Sequence, residues 1–437
     1  MKLFFRTILA LFILSSQSFA GTVVRDAEIE GVLRDISDPI FKAAGLDPKS
    51  INIYIVNAPE INAYVAGGNN IFINTKLLGM FDRPEIITGV LAHETGHIAG
   101  SHLLKNAEES KNTTIKATLG YMVGLAAAAA GSPQAGIAIA TGAGQIANRQ
   151  MLKYTRSHEQ SADQAALNYL DKIHQSARGL LELLQVLYGK EVGLYENINP
   201  YTQTHPLSKE RIDHVKNHMQ RSPYSNVQTP QEKLDEFSHA ITKLNAFLEP
   251  YDKTLKAYPE SDQSINAHYA RAIAYYKIPN LEKAIKEINT LIELQPSNPY
   301  FHELKGQILF ENGKVMESIP GYSKAVELKP NSALLRIVLA TAQISSENES
   351  MREKAISNLK QALLKEKQNS FAWNQLAIAY GRGNDLGMSN LALAEEASLK
   401  GNKQDVKKFL KMAKDHIKPG SPADLRMKDL QSSVDTK

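Results

Sequence analysis

The chain has no cysteine. That absence removes disulfides, a thiolate zinc site, a cysteine nucleophile and a lipid-anchored cysteine start. Net charge is also scarce: 50 Lys+Arg stand against 46 Asp+Glu, a formal +4 spread over 437 residues. So small and dispersed an excess gives no basis for a nucleic-acid partner. Long apolar runs are few. Ile8–Leu14 is too short to cross a bilayer as a permanent helix. Residues 117–148, between Lys116 and Arg149, carry no charge but are rich in alanine and glycine and broken at Ser132-Pro133. Few large aliphatic side chains would face lipid there. The stretch reads as a helical hairpin near an active-site mouth or resting on a membrane surface. Its small residues allow close packing, as in a lid that moves. At 43% apolar and 22% charged residues, the rest is ordinary globular protein, long enough for two or three domains.

Residues 1–20 stand apart from the fold. Lys2 and Arg6 make a basic start, Ile8–Leu14 an apolar core, and Ser18-Phe19-Ala20 a small-x-small cleavage site. The expectation is an exported, periplasmic chain beginning at Gly21, soluble or loosely membrane-associated.

What the sequence does contain is centred on Val90-Leu91-Ala92-His93-Glu94-Thr95-Gly96-His97-Ile98. On a helix, His93 and His97 project from one face and can grip one metal ion. Zinc accepts such a pair, and a catalytic zinc needs one more protein ligand and an open position. Glu94 leans over that position, where it can act as general base towards the attacking water. Ahead of this helix, residues 26–44 show helical spacing, with Ile29, Val32, Leu33, Ile36 and Ile40 on one face. Ile51–Val56, Asn62–Asn70 and Ile71–Asn74 read as strands of a small antiparallel sheet. An edge of such a sheet can align an extended peptide over a metal, or the strands can simply pack the helix.

The third ligand is expected downstream, in Ser157-His158-Glu159-Gln160-Ser161-Ala162-Asp163. Glu159 and Asp163 share a helical face. Glu159 would complete a His2Glu site, and Asp163 would accept a hydrogen bond from a ligand imidazole and fix its tautomer. His158 competes for the role but points about 100° away from Glu159.

His93-Glu94-x-x-His97 with Glu159-x-x-x-Asp163, behind the Asn62-Ala63-Tyr64 to Gly68 strand, resembles the zinc metallopeptidase family that includes HtpX and the CAAX prenyl proteases. The resemblance covers about Ile29–Val215 and is strongest to the family's periplasmic BepA-type branch, whose proteases carry tetratricopeptide repeats. It implies one zinc per chain on His93, His97 and Glu159, with Glu94 catalytic and Asp163 supporting. It also implies a role in outer-membrane protein assembly and in degrading stalled substrates. The membrane helices of prenyl proteases are absent from the pattern, so prenylated substrates are not implied.

The family carries a His-Pro segment with a following arginine, similar to His205-Pro206 and Arg211 here. Two catalytic roles are open to His205: steadying a tetrahedral oxyanion, or occupying the open zinc position and keeping the enzyme latent. Arg211 can stabilise developing charge or tie the loop to the core by an ion pair.

After a linker helix at 226–256 a repeat emerges, with Pro296 and Pro330 34 residues apart and each closing an apolar helix. Ala272, Tyr275 and Ala284 mark one unit, Gly306, Gly313, Tyr322 and Ala325 the next, and Trp373, Leu376, Ala377 and Tyr380 a later one. The pattern resembles tetratricopeptide repeats, which stack into a superhelix with a protein-binding groove. The expected organisation is a signal peptide at 1–20, a metallopeptidase domain at 21–225, the linker helix, repeats at 257–420 and a polar tail at 421–437. The fold class is α+β: a mostly helical zincin-type core with a small antiparallel sheet, then an all-α superhelix. Two functions fit: a zinc endopeptidase acting on misfolded or stalled polypeptides, with the groove binding substrate or the outer-membrane assembly machinery, or a chaperone-like binding module whose protease is latent or secondary. A non-peptide substrate fits less well, because sheet edge and repeats both suit polypeptides.

Overall fold

The computed structural model describes residues 22–101, 156–193, 201 and 204–435. The expected signal peptide and the charge-free stretch at 117–148 lie outside these residues.

A short strand β1 (Thr22–Val24) leads into helix α1 (Ala27–Ala43). Asp26 caps that helix, accepting from the backbone N–H of Glu28 and Ile29 at 2.9 Å each. Strands β2 (Asn52–Asn57), β3 (Ala63–Ala66) and β4 (Asn70–Asn74) complete a four-stranded sheet in the order β1-β2-β4-β3. The sheet is mixed rather than antiparallel, because β2 and β4 pair in parallel. Every residue of β4 is buried, so this strand takes a central place, between β2 and its hairpin partner β3. The hairpin turns on Gly67 and Gly68, both with positive φ (58° and 89°).

Helix α2 (Thr75–Met80) precedes α3 (Pro84–Ala99), which carries the His93–His97 motif and is buried along most of its length. Ile86, Ile87, Val90 and Leu91 join Ile29, Leu33, Ile40, Ile55, Val65 and Ile73 in one core. Gly96 has a direct reason: a Cβ there would lie 2.8 Å from the carbonyl oxygen of Ala162. That close approach lets α4 (Arg156–Lys172) cross α3 beside the motif. Helices α5 (Arg178–Gly193) and α6 (Lys209–Met219) close the same core.

Helix α7 (Gln231–Leu248) falls in the expected linker, yet it packs on α1, α2 and α3. Its Phe237, Ala240, Ile241 and Leu244 belong to the same core as the motif helix. Beyond α8 (Tyr251–Ala257) the chain runs in helical pairs: α9 (Ile265–Lys277) with α10 (Leu281–Leu294), α11 (Pro299–Glu311) with α12 (Val315–Leu328), α13 (Ala333–Ser345) with α14 (Glu349–Lys365), and α15 (Ser370–Arg382) with α16 (Leu386–Leu399). The first helix of each of the first three pairs begins on a side-chain cap, Ser264, Asn298 and Ser332. Gly306 allows the ring of Tyr322 to press on α11. After α17 (Lys403–Lys414), the expected polar tail is instead a helix, α18 (Pro422–Asp435). It buries Met427, Leu430 and Val434 against Val406, Leu410 and Ala413, closing the stack that an exposed last helix would leave apolar. Among the described residues, no helix is long and apolar enough to cross a membrane.

Candidate metal centre

Three separate segments converge at the C-terminal half of α3. His93 and His97 come from α3, Glu159 from the first turn of α4, and His205 from the short turn before α6. Each of the four offers one ligand atom, and those atoms lie within 4.8 Å of one another. All four side chains are buried.

The hydrogen bonds around the cluster decide which nitrogens carry protons. His93 donates from Nδ1 to Asp163 Oδ1 at 2.9 Å, since a carboxylate only accepts. In the neutral imidazole, the form a metal would bind, its Nε2 is then a lone pair facing inwards. His205 donates from Nε2 to the carbonyl oxygen of Ala63 at 3.1 Å, which leaves Nδ1 as the inward lone pair. That Nδ1 lies 3.4 Å from His93 Nε2 and 3.1 Å from Glu159 Oε1. His97 Nε2 stands 3.1 Å from His93 Nε2 and 3.2 Å from Glu159 Oε1. Lone pairs this close repel one another unless a cation sits among them. Two or three imidazoles with a carboxylate form a donor set that zinc accepts, so these residues fit that metal.

Electrostatics point the same way. Burial disfavours a charged His93, but Glu159 and Asp163 outweigh it and push its pKa up to about 10. Without a metal, the charge that the site draws in is a proton on His93 Nε2, in the place a metal would take. Burial likewise opposes the Asp163 carboxylate, but the Arg211 guanidinium holds its pKa at about 2. Arg211 bonds both oxygens of Asp163, at 2.6 Å and 2.9 Å, and reaches Glu159 Oε2 at 2.7 Å and the Pro206 carbonyl at 3.2 Å. Of the two expectations for Arg211, the geometry matches the ion pair: it stands behind the ligands.

Glu94 is wholly buried, and burial raises its carboxyl pKa. Neither carboxylate oxygen has a hydrogen-bond partner among the described residues, and Oε1 lies 3.6 Å from His205 Nε2. Burying a carboxylate without a hydrogen-bond partner is costly. His158 is not part of the group. Tyr201 is a residue that sequence reasoning missed. Its ring stacks on His205, four residues later, with centroids 4.7 Å apart; one helical turn brings such a pair together, and that spacing was the available signal.

The sequence model of Peptidase family M48 matches residues 25–219. The beta-barrel assembly-enhancing protease of Escherichia coli strain K12 is 24% identical over 378 residues, covering 85% of this chain and 75% of that protein. Metalloprotease YcaL of the same organism is 28% identical over 184 residues, 40% of this chain and 66% of its own length. A TPR repeat-containing protein of Methanocaldococcus jannaschii is 29% identical over 113 residues, 24% of this chain and 20% of that protein. The motif helix, its carboxylate partner on α4 and the buried donor set lie inside the matched span, and residues 25–219 are accordingly a Peptidase family M48 domain, that of a zinc metalloprotease.

Proposed function

We propose that the chain is an exported, periplasmic zinc endopeptidase that cleaves misfolded or stalled polypeptides, outer-membrane proteins among them. The observation that carries the catalytic part is Glu94: a buried carboxylate with no hydrogen-bond partner among the described residues, one position from a metal-ligand candidate. When bound, zinc would polarise the scissile carbonyl and acidify a water. His93, His97 and Glu159 would hold it, with Asp163 fixing the His93 tautomer and Arg211 fixing Glu159 and Asp163. Glu94 would take the water's proton on a carboxylate oxygen and pass it to the leaving amine. The assembly-related role and the periplasmic setting follow the relatives and the signal-like residues 1–20. The repeats would engage substrate or the outer-membrane assembly machinery, and residues 117–148 would meet a membrane surface.

His205 favours the restrained version of this enzyme. Its Nε2–H is committed to Ala63, so the atom it presents to the site is a lone pair rather than an oxyanion donor. As fourth ligand it would fill the position that a water needs, keeping proteolysis latent while the repeats bind. The test is cleavage of casein and of an unfolded outer-membrane β-barrel protein by the mature chain. Glu94→Gln should keep zinc and lose about a hundred- to ten-thousandfold in turnover. His205→Ala should cleave faster than wild type. Full activity in Glu94→Gln rejects the protease, and slower cleavage by zinc-loaded His205→Ala rejects the latch.

A further inference from the structure

His205 closes a helical turn: its own N–H donates to the Tyr201 carbonyl, four residues back, at 2.7 Å, and Thr204 Oγ1 donates to the same oxygen at 3.0 Å. The turn fixes the backbone, and the orientation of the imidazole about its own bonds is set by what the ring touches. At one nitrogen that is the Ala63 carbonyl, 3.1 Å away. On one face it is the Tyr201 ring, nearly parallel at an interplanar angle of 28°. Tyr201 is fully buried and is itself packed into the core that carries the motif helix. The tyrosine is thus fixed independently of any metal, and the histidine lies against it.

We propose that Tyr201 is the positioning residue for His205. Its ring is the wall that keeps the imidazole plane turned so that Nδ1 meets His93 and Glu159. Without that wall the ring could rotate about its Cβ–Cγ bond and withdraw Nδ1 from the donor set. A neighbour that orients a ligand imidazole typically changes metal affinity by about ten- to a hundredfold. An aromatic stack, weaker than the hydrogen bonds behind that range, belongs at its lower end. The inference rests on the reading of His205 as a metal ligand, but its own content is the coupling between residues 201 and 205.

The experiment uses the mature full-length chain as wild type, Tyr201→Leu, Tyr201→Phe, His205→Ala and the Tyr201→Leu/His205→Ala double variant. Zinc affinity is measured by chelator competition, and the visible absorption of the cobalt-substituted protein is followed against pH. Tyr201→Leu should weaken zinc about tenfold. Its cobalt spectrum should become pH-dependent, as expected when a water replaces a protein ligand. Tyr201→Phe keeps the ring and should match wild type in both readings. In the His205→Ala background, Tyr201→Leu should change neither. The proposal is overturned if Tyr201→Leu weakens zinc equally with and without His205, or if Tyr201→Phe behaves as Tyr201→Leu. Should Tyr201→Leu fail to fold, Tyr201→Met fills nearly the same volume without a ring and carries the same test. The effect of His205→Ala alone on cleavage judges the latch, whereas the coupling judges Tyr201, so the two can fail separately.

Discussion

The metal centre and the junction with the repeats both gather buried charge, and they are built on opposite plans. In the metal centre, His93, His97, Glu159 and His205 point their lone pairs at a common space, and the guanidinium of Arg211 stands behind the ligands. At the junction with the repeats, Lys243 occupies the middle itself. Its Nζ lies 2.8 Å from Asp26 Oδ2, 3.1 Å from Glu303 Oε2 and 3.6 Å from Glu28 Oε2. Tyr269 adds a hydrogen bond to Glu28 at 2.7 Å. One cluster carries its cation covalently and joins α1, α7, α9 and α11. The other must obtain its cation from solution. Burial and acidity are common to both, so neither alone marks a site for chemistry. The mark is convergence on a centre that no side chain fills.

The largest effect should come from breaking the open cluster. Glu159→Ala removes a ligand and leaves Arg211 without one of its carboxylates. Elemental analysis should show zinc well below one per chain, and cleavage should fall to background. Next in size is Lys243→Met, which leaves buried Glu28 and the half-buried Asp26 and Glu303 without their cation. Losing one partner of a buried ion cluster costs about 3–5 kcal/mol. Urea unfolding should show that loss while zinc stays near one per chain; a fall in zinc would mean that the clusters are not independent. The smallest effect concerns Glu28, whose carboxyl burial pushes up to about 7 from an ordinary 4.5, with Lys243 opposing. The folded state then holds this proton more tightly than the unfolded chain. Stability from this group is full below about 4.5 and is lost as pH rises through about 7. Glu28→Gln, which mimics the protonated form, should therefore be near neutral at pH 5 and raise the Tm by a few degrees at pH 8. Equal Tm shifts at both pH values would contradict this.

Much of the open cluster could be read from the sequence, because a helix turns spacing into geometry. His93 and His97, or Glu159 and Asp163, need only a helical turn to share a face. His205 was visible as a histidine in a distinctive loop, but its proton arrangement was not, since that depends on the carbonyl of Ala63 from a distant strand. Tyr201 carried only its four-residue spacing from His205, and Lys243 carried no local signal, since its partners Asp26, Glu28 and Glu303 are all distant in the chain. The parallel pairing of β2 with β4 was hidden for a related reason: strand alternation shows which face is buried, not which neighbour is beside it. The last helix was legible in principle. Met427, Leu430 and Val434 have helical spacing, but the charges between them resemble those of a solvated tail.

Arg25, just ahead of α1, bonds Glu30 at 2.7 Å and also Glu366 at 2.9 Å, a residue 341 positions later. That bond sets an order of events. A chain made from its N-terminus presents Arg25 and Glu28 long before Tyr269, Glu303 or Glu366 exists. The metal-ligand candidates are all in hand by His205, before the junction has its second half. Contacts of such long sequence separation form slowly. The beginning of the protein therefore takes its last partners only once residue 366 has been made, so a chain cut short in the repeats would keep every metal-ligand candidate yet leave Arg25 with Glu30 alone.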